Sequence, residues 1–230
     1  MKKNAIILFF ALTVGSAVVL TTGCSKDDTT APVVTLNGDA SVTLSLNSAA
    51  YSDPGATAND EEDGVVTATS DASSTNPNVN QIGTYTITYT ATDAAGNVGT
   101  AVRTVRVKND AEDFAGTYDV VDVTIPSDPY PFVNVITVDP AVNNRVHFDL
   151  FADYDNNTNI YATKIGNGSL EIPAQTATDI GAGVLPCQVA DHTFTSTSYT
   201  GTPASFVLMY NDNNICAGQT VLITTNWTKQ

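Results

Sequence analysis

The chain has 230 residues, with 24 acidic and 9 basic side chains, so its formal net charge at pH 7 is −15. A surface this acidic repels phosphate backbones and anionic headgroups, which excludes nucleic acid and other polyanions as partners. The length accommodates two small domains.

The N-terminal segment has the composition of an export signal. Lys2 and Lys3 precede an apolar run from Ala5 to Leu20, and a short Thr-Thr-Gly step then leads to Cys24. A membrane-spanning helix needs roughly 20 apolar residues. This run is shorter and is interrupted by small polar residues, so we predict a cleaved signal peptide at residues 1–23.

The residues around Cys24 resemble the lipobox of bacterial lipoproteins, which implies a lipid on this cysteine and attachment to a membrane. The Ser-Lys-Asp-Asp at residues 25–28 resembles the export tag of surface-displayed lipoproteins in the Bacteroidota. This resemblance implies lipid anchoring in the outer membrane, facing the medium. Residues 24–30 then form an acidic tether between the lipid and the first domain.

The cysteine count fits an exported protein. Besides Cys24, the sequence contains Cys187 and Cys216. Lipid attachment to Cys24 leaves one pair, which we predict to form a disulfide in an oxidising compartment. In the chain-entropy model, such a bond stabilises the fold by about 3 kcal/mol. Two buried free thiols are the alternative.

The sequence after Cys24 predicts an all-β protein. Short runs rich in Val, Ile, Thr and Tyr alternate in polarity and are separated by Gly, Asn, Asp and Pro. In residues 84–91 the side chains of Tyr85, Ile87 and Tyr89 share one face, which indicates a half-buried strand. The turn residues 93–97 predict a hairpin with a second strand at residues 98–107.

Several motifs between residues 31 and 108 resemble the bacterial immunoglobulin-like repeat of surface and secreted proteins. They are the opening Ala-Pro-Val-Val-Thr-Leu, the Tyr-Ser-Asp-Pro-Gly-Ala-Thr-Ala at residues 51–58, the Gly-Thr-Tyr at 83–85 and the Thr-Asp-Ala-Ala-Gly-Asn at 92–97. Related modules occur in insecticidal crystal toxins and hyalin repeats. The resemblance implies a β-sandwich of about seven strands and no chemistry.

Two acidic stretches are candidate calcium sites, because calcium prefers several oxygen ligands. The first comprises Asp53 and the run Asp60, Glu61, Glu62 and Asp63; the alternative is that these are ordinary turns. The second is Asp153-x-Asp155-x-Asn157-x-Asn159, where Thr158 and Lys164 exclude an EF-hand. We assign neither stretch as a metal site, and the sequence predicts no cofactor.

Residues 109–113 form a charged linker to a second all-β domain, residues 114–230. Seven to eight short strands predict an antiparallel sandwich or a lipocalin-like barrel. Turns are predicted at residues 166–168 and at 211–214. The Gly-Thr-Tyr at residues 116–118 and the Leu-Glu-Ile-Pro-Ala-Gln at 170–175 resemble a C-terminal domain of Bacteroidota lipoproteins, and this fold analogy implies no function.

We predict that the protein is not an enzyme. Its histidines are His147, which alternates with apolar neighbours in a predicted strand, and His192. The sequence has no nucleophile elbow, zinc-binding His pair or phosphate-binding glycine loop. Paired carboxylates suited to glycoside hydrolysis arise by chance in a chain this acidic.

The predicted function is extracellular glycan binding or adhesion at the cell surface. The alternative is a structural spacer or a protein-interaction subunit of an outer-membrane complex, with an envelope protein as its partner. A glycan platform needs an exposed aromatic ring, whereas a protein interface needs an exposed apolar patch. The candidate aromatics of the second domain are Tyr130, Phe132, Tyr154, Tyr161, Tyr199, Tyr210 and Trp227.

Overall fold

The chain folds almost entirely into β-strands. The computed structural model describes residues 27–73, 76–124, 127–151, 160–166, 168–178, 191–214 and 219–230. Within these ranges, the chain has a short 3-10 helix at Glu112–Phe114. In the same ranges, no helix has the length and apolar character needed to cross a membrane. The predicted all-β fold class is therefore confirmed.

Seven strands form the N-terminal sandwich: β1 (Val33–Leu36), β2 (Ser41–Ser45), β3 (Ala56–Asp60), β4 (Gly64–Val66), β5 (Ala68–Ser70), β6 (Gly83–Thr92) and β7 (Val98–Lys108). One sheet has the order β1-β3-β4 and the other the order β2-β7-β6-β5. The pairs are antiparallel except β2 with β7, which run parallel. This agrees with the predicted immunoglobulin-like sandwich.

The predicted hairpin is confirmed. Strands β6 and β7 pair in continuous antiparallel register from Gly83 opposite Val107 to Thr92 opposite Val98. Ile87 and Tyr89 are buried on one face of β6, as the alternation of Thr with larger residues predicts. At the start of β7, a Cβ on Gly99 would lie 1.8 Å from the carbonyl oxygen of Pro32. Only glycine therefore allows the chain before β1 to approach this closely.

The buried guanidinium of Arg103 links two loops of the sandwich. Arg103 on β7 is fully buried and forms an ion pair with Asp53. Its other N–H groups donate to the carbonyl oxygens of Asp39 (2.9 Å), Asn37 (2.6 Å) and Gly55 and to the hydroxyl of Tyr89 (2.8 Å). The donors of the guanidinium thus hold both loops that precede β2 and β3.

Nine strands form one sheet in the second region: β8 (Gly116–Asp122), β9 (Tyr130–Val138), β10 (Arg145–Phe148), β11 (Tyr161–Lys164), β12 (Leu170–Glu171), β13 (Gln175–Thr178), β14 (Asp191–Thr202), β15 (Ser205–Asn214) and β16 (Gln219–Lys229). The order is β12-β11-β10-β9-β8-β16-β15-β14-β13. All the neighbouring pairs are antiparallel.

This sheet curls on itself into a half-barrel. Its two edge strands, β12 and β13, are consecutive in the chain and only residues 172–174 separate them. Gln175 accepts from the backbone N–H of Tyr161 at 3.1 Å and donates to its carbonyl oxygen at 2.7 Å. The backbone N–H of Ser196 on β14 donates to the carbonyl oxygen of Ile172 at 3.0 Å. Of the two predicted alternatives, the structure therefore has one curled sheet and not two stacked sheets.

One local prediction for this region was wrong, and one strand was missed. Residues 211–214 do not form a turn, because they extend β15 and pair with both β14 and β16. The strand Gln175–Thr178, which pairs with the next strand, β14, was not predicted. The predicted turn between β11 and β12 is present, where the backbone N–H of Gly168 donates to the carbonyl oxygen of Ile165 at 2.8 Å.

The linker at residues 109–113 is packed against the second region. Asn109 is buried, and its side-chain amide donates to the carbonyl oxygens of Asp139 and Val142, each at 2.9 Å. Its Oδ1 accepts from the backbone N–H of Ala111 and of Asn144. One amide side chain thus satisfies backbone groups of the linker and of the loop between β9 and β10.

Candidate functional site

The end of the β8–β9 hairpin presents an exposed aromatic ring. The side chain of Tyr130 is 55% exposed, and its ring stacks on Phe132 with centroids 6.4 Å apart and an interplanar angle of 29°. Phe132 in turn meets Trp227 edge-on at 6.5 Å. Because Tyr130 and Phe132 are two positions apart in one strand, they share the inner face of the curled sheet.

A carboxylate lies beside this ring. Asp122 on β8 is directly opposite Tyr130 in the strand register. Its Oδ1 accepts from the backbone N–H of Thr124 at 2.8 Å, and its Oδ2 has no protein partner among the described residues. We call Asp122, Tyr130 and Phe132 the hairpin-end site. It combines an exposed ring, an aromatic support beneath it and a hydrogen-bond acceptor at its edge.

The remaining described aromatic candidates on the inner face are core residues. Trp227 and Tyr210 are each 1% exposed, and Trp227 stacks on Phe206 with centroids 5.3 Å apart at 11°. Tyr199 packs against Phe114 and Phe206, and burial raises its pKa to about 12. Trp227 and Tyr210 are therefore part of the buried aromatic core, and Tyr199 is partly buried against it.

Tyr161 lies on the outer face of the sheet and its ring is already covered. The guanidinium carbon of Arg145 is 4.1 Å from the ring centroid, and His147 lies beside the same ring. His147 Nε2 is 2.9 Å from Asp139 Oδ2. Burial raises the pKa of Asp139, but hydrogen bonds from His147 and from the backbone outweigh it and lower the pKa overall. His147 lies in strand β10, as its alternation with apolar neighbours predicts.

Three carboxylates meet in the N-terminal sandwich. Asp28 precedes β1, Asp60 ends β3 and Asp93 follows β6. One oxygen from each lies within 4.8 Å of the others, and Asp60 and Asp93 are buried. We call these three residues the acidic cluster. They are far apart in sequence, and the sandwich brings the tether, the β3–β4 turn and the β6–β7 turn together.

The hydrogen bonds around the acidic cluster show how each carboxylate is oriented. Asp60 Oδ1 accepts from the backbone N–H of Glu62 (2.9 Å) and Asp63 (3.0 Å). Asp93 accepts from both the backbone and the side-chain amide of Asn97, each at 2.8 Å. The same side-chain amide donates to the backbone oxygen of Asp28 at 3.1 Å.

The acidic cluster creates a strongly negative potential. The charge of Asp28 raises the pKa of Glu62, with smaller contributions from desolvation and from the neighbouring acids, Asp60 among them. Burial alone raises the pKa of Asp93, but its hydrogen bonds to Asn97 and to the backbone outweigh this and lower the pKa overall. Asp93 therefore stays ionised inside the fold.

The structure separates the residues of the first predicted calcium stretch. Asp53 precedes β3, whereas Asp60 ends it, and the Asp53 carboxylate is paired with Arg103 and Tyr89. Asp63 Oδ2 accepts from the backbone N–H of Ala94 at 2.6 Å, and Glu61 is exposed. Of the predicted residues only Asp60 belongs to the acidic cluster. Sequence reasoning missed Asp28 and Asp93, although Asp93 lies in the hairpin turn that carried the immunoglobulin-like resemblance.

The outer face of the β1-β3-β4 sheet contains an apolar groove of about 680 Å³. Val33 and Val65 line it and are 68% and 88% exposed. Glu61 stands at its edge. Exposed apolar surface of this kind suits a protein interface better than a sugar ring.

Several predicted residues lie outside the described ranges. These are the lipid-attachment residue Cys24, the predicted disulfide pair Cys187 and Cys216, the stretch Asp153–Asn159 with Tyr154, and the side chain of His192. The signal peptide at residues 1–23 lies outside them as well. These assignments stay predictions.

Comparison with known families identifies the N-terminal sandwich. Residues 34–107 match the model of the Ig-like domain of bacterial surface proteins. This range spans all seven strands from Val34 in β1 to Val107 in β7, so this part of the chain is similar to the Ig-like domain of bacterial surface proteins. The match supports a place at the cell surface and assigns no ligand.

Among solved structures, a match is the crystal structure of the lipoprotein BT2262 from Bacteroides thetaiotaomicron. It has 18% sequence identity and a TM-score of 0.30, and the alignment covers 86% of this chain and 100% of that one. A search of curated proteins finds no match.

Proposed function

We propose that this protein is a non-enzymatic, lipid-anchored protein of the outer membrane that binds an extracellular glycan at the hairpin-end site. The observation that carries the proposal is the ring of Tyr130, which is 55% exposed and supported from below by Phe132. Sugar rings stack on exposed aromatic faces, and a neighbouring acceptor fixes their hydroxyl groups.

The charge of the chain narrows the class of glycan. The formal net charge is −15, and Asp122 lies opposite Tyr130 in the sheet. A sulfated or uronic-acid polymer would be repelled by this carboxylate and by the surrounding field. The expected ligand is therefore a neutral glycan whose hydroxyl groups donate to Asp122.

The Ig-like domain supports a surface role. It is similar to the Ig-like domain of bacterial surface proteins, and it separates the tether from the second region in the chain. In this proposal the Ig-like domain holds the glycan-binding half-barrel away from the membrane, and the lipid on Cys24 supplies the anchor.

The test is binding of the fragment Ser25–Gln230 to a glycan array, with Tyr130→Ala as the diagnostic variant. We expect saturable binding to a neutral glycan class and a loss of about tenfold or more in affinity for Tyr130→Ala, which corresponds to about 1.4 kcal/mol. Tyr130→Phe keeps the stacking surface and should retain most of the affinity.

Val133→Ala is the matched control, because Val133 lies on the same strand, is 48% exposed and faces the opposite side of the sheet. Equal binding by wild type and Tyr130→Ala would contradict the proposal. Absence of binding to every glycan on a validated array would also contradict the proposal. It would favour the alternative, in which a protein partner binds the groove at Val33 and Val65.

A further inference from the structure

We propose that the acidic cluster of Asp28, Asp60 and Asp93 binds a calcium ion that fastens the N-terminal tether to the Ig-like domain. This inference is independent of the glycan site. It concerns a different region of the molecule and a different ligand.

The side chain of Asp60 indicates a cation-binding position. Asp60 is only 2% exposed. Its Oδ1 holds the β3–β4 turn through two backbone N–H groups, whereas its Oδ2 is buried with no hydrogen-bond partner in the described part of the chain. A buried carboxylate oxygen without a partner is costly. A bound cation would supply the partner that the protein does not.

The geometry of the cluster suits calcium. Two oxygens on one ion can be separated by up to twice the metal–oxygen distance, which is about 2.3 to 2.6 Å for calcium. The three oxygens lie within 4.8 Å of one another, so a point about 2.8 Å or less from each of them exists, and a shift of about 0.2 Å is enough to bring all three into contact with one calcium ion. The group contains no His or Cys, which argues against zinc. Magnesium requires a shorter and more regular shell.

Within the described ranges, no cationic side chain pairs with the acidic cluster. The ion pairs found among the described residues involve Asp53, Glu112, Asp139 and Asp113, and none of them includes a member of the cluster. Three carboxylates brought this close repel one another in the partly buried environment. A divalent cation would remove this repulsion and complete the coordination with water.

The location of Asp28 gives the ion a mechanical role. Asp28 lies in the acidic tether, four positions after Cys24, and its backbone oxygen already accepts from Asn97. Its carboxylate Oδ1 accepts from the backbone N–H of Thr30 at 2.9 Å. A calcium ion shared with Asp60 and Asp93 would fix the tether to two turns of the sandwich and so set the orientation of the domain relative to its anchor.

The first measurement is calorimetric titration of the fragment Ser25–Gln230 with calcium chloride. We expect one site with a dissociation constant in the range of about 0.1 to 1 mM that is typical of extracellular calcium modules. Asp60→Asn is the sharpest variant, because its Oδ1 still accepts the turn hydrogen bonds while an NH₂ group replaces the ligand oxygen. It should weaken binding by about tenfold or more.

Asp28→Asn tests the tether separately and should also weaken calcium binding by about tenfold. Glu61→Gln removes one negative charge from the same turn without touching the cluster, so it should bind calcium as wild type does. No binding up to about 10 mM calcium, ten times the weak end of the extracellular range, would overturn the proposal. So would equal affinities for wild type, Asp60→Asn and Asp28→Asn.

Hydrogen–deuterium exchange tests whether calcium holds the tether against the Ig-like domain. Calcium should slow exchange in the peptide spanning residues 27–32 of wild type and leave it unchanged in Asp60→Asn. Calcium binding without this protection would overturn the role of the ion in holding the tether. The variants leave Asp122 and Tyr130 intact, so failure here does not affect the glycan result.

Discussion

The two β regions of this protein are stabilised by different means. In the Ig-like domain the buried apolar cluster is small, with Ile87, Tyr89 and Val105 at its centre, and the buried Arg103 links the surrounding loops. The half-barrel instead buries a large aromatic cluster that includes Phe114, Tyr118, Phe148, Phe151, Phe194, Phe206, Tyr210 and Trp227. The Ig-like domain depends on a buried hydrogen-bond network, and the half-barrel depends on the packing of large aromatic side chains.

Strand length explains the difference. Five of the seven strands of the Ig-like domain have three to five residues, so few side chains reach its interior. Strands β14 to β16 of the half-barrel have 12, 10 and 11 residues. They supply enough inward positions for large rings. The two regions should therefore respond to different mutations.

The largest effect is expected for Arg103→Met. The substitution keeps an apolar stem but leaves Asp53 without its ion pair and the carbonyl oxygens of Asn37 and Asp39 without donors. We expect the Ig-like domain to lose about 3 to 5 kcal/mol of unfolding free energy. Denaturant unfolding followed by circular dichroism measures the loss, while fluorescence of the single tryptophan, Trp227, reports on the half-barrel.

The double variant Arg103→Met with Asp53→Asn is the control for this prediction. It removes both charges, so it should be more stable than Arg103→Met alone. A loss below about 1 kcal/mol for Arg103→Met would show that the network is not what holds the domain together.

A smaller effect is expected for Trp227→Phe in the half-barrel. The indole packs against Tyr118, Phe148 and Phe206, and its Nε1 donates to Thr225 Oγ1 at 2.8 Å. Phenylalanine keeps part of the stacking but leaves a void and leaves Thr225 Oγ1 without the donor from which it accepts. We expect a loss of about 1 to 3 kcal/mol, measured by calorimetry. An unchanged unfolding temperature would contradict the view that packed volume stabilises this region.

The smallest expected effect is a loss of folding stability at alkaline pH. Burial raises the pKa of Tyr118 and Tyr199 in the half-barrel to about 12. In the Ig-like domain, burial and the hydrogen bond to Asp53 raise the pKa of Tyr89 to about 12. A raised folded-state pKa stabilises the fold fully below the unfolded value near 10 and loses this effect as pH rises towards 12. Thermal unfolding between pH 9 and 12 should show the decline.

Tyr199→Phe separates this effect from other alkaline damage. The Tyr199 hydroxyl is buried and finds no partner in the described ranges, whereas the Tyr118 hydroxyl donates to backbone oxygen. At neutral pH, Tyr199→Phe should therefore be neutral or stabilising and Tyr118→Phe destabilising. Both should reduce the loss of stability above pH 10. If the stability of Tyr199→Phe falls with rising pH as steeply as that of wild type, ionisation of Tyr199 is ruled out as a cause of the decline.

Local pattern predicted much of the fold. The alternation around Ile87 and the turn at residues 93–97 predicted the β6–β7 hairpin, because strand faces and turn chemistry are set by adjacent residues. The Asn- and Asp-rich residues 211–214 were predicted as a turn and form part of β15. Pairing on both sides overrides weak strand propensity, and such pairing cannot be read from a short window.

The candidate sites were only partly predictable for the same reason. Asp60 and Tyr130 were both singled out from the sequence. Asp28 and Asp93 were not, because their closeness to Asp60 depends on how the tether crosses the two turns of the sandwich. Asp122 was missed because only the strand register places it opposite Tyr130.

The sequence by itself determined the all-β class, the immunoglobulin-like resemblance and the acidic character of this protein, since composition, alternation and turn residues are local properties. Only the tertiary structure decided that the second region is one curled sheet, that Trp227 is buried while Tyr130 is exposed, and that three distant carboxylates meet. These outcomes depend on long-range strand pairing, where residues many positions apart compete for the same interior space.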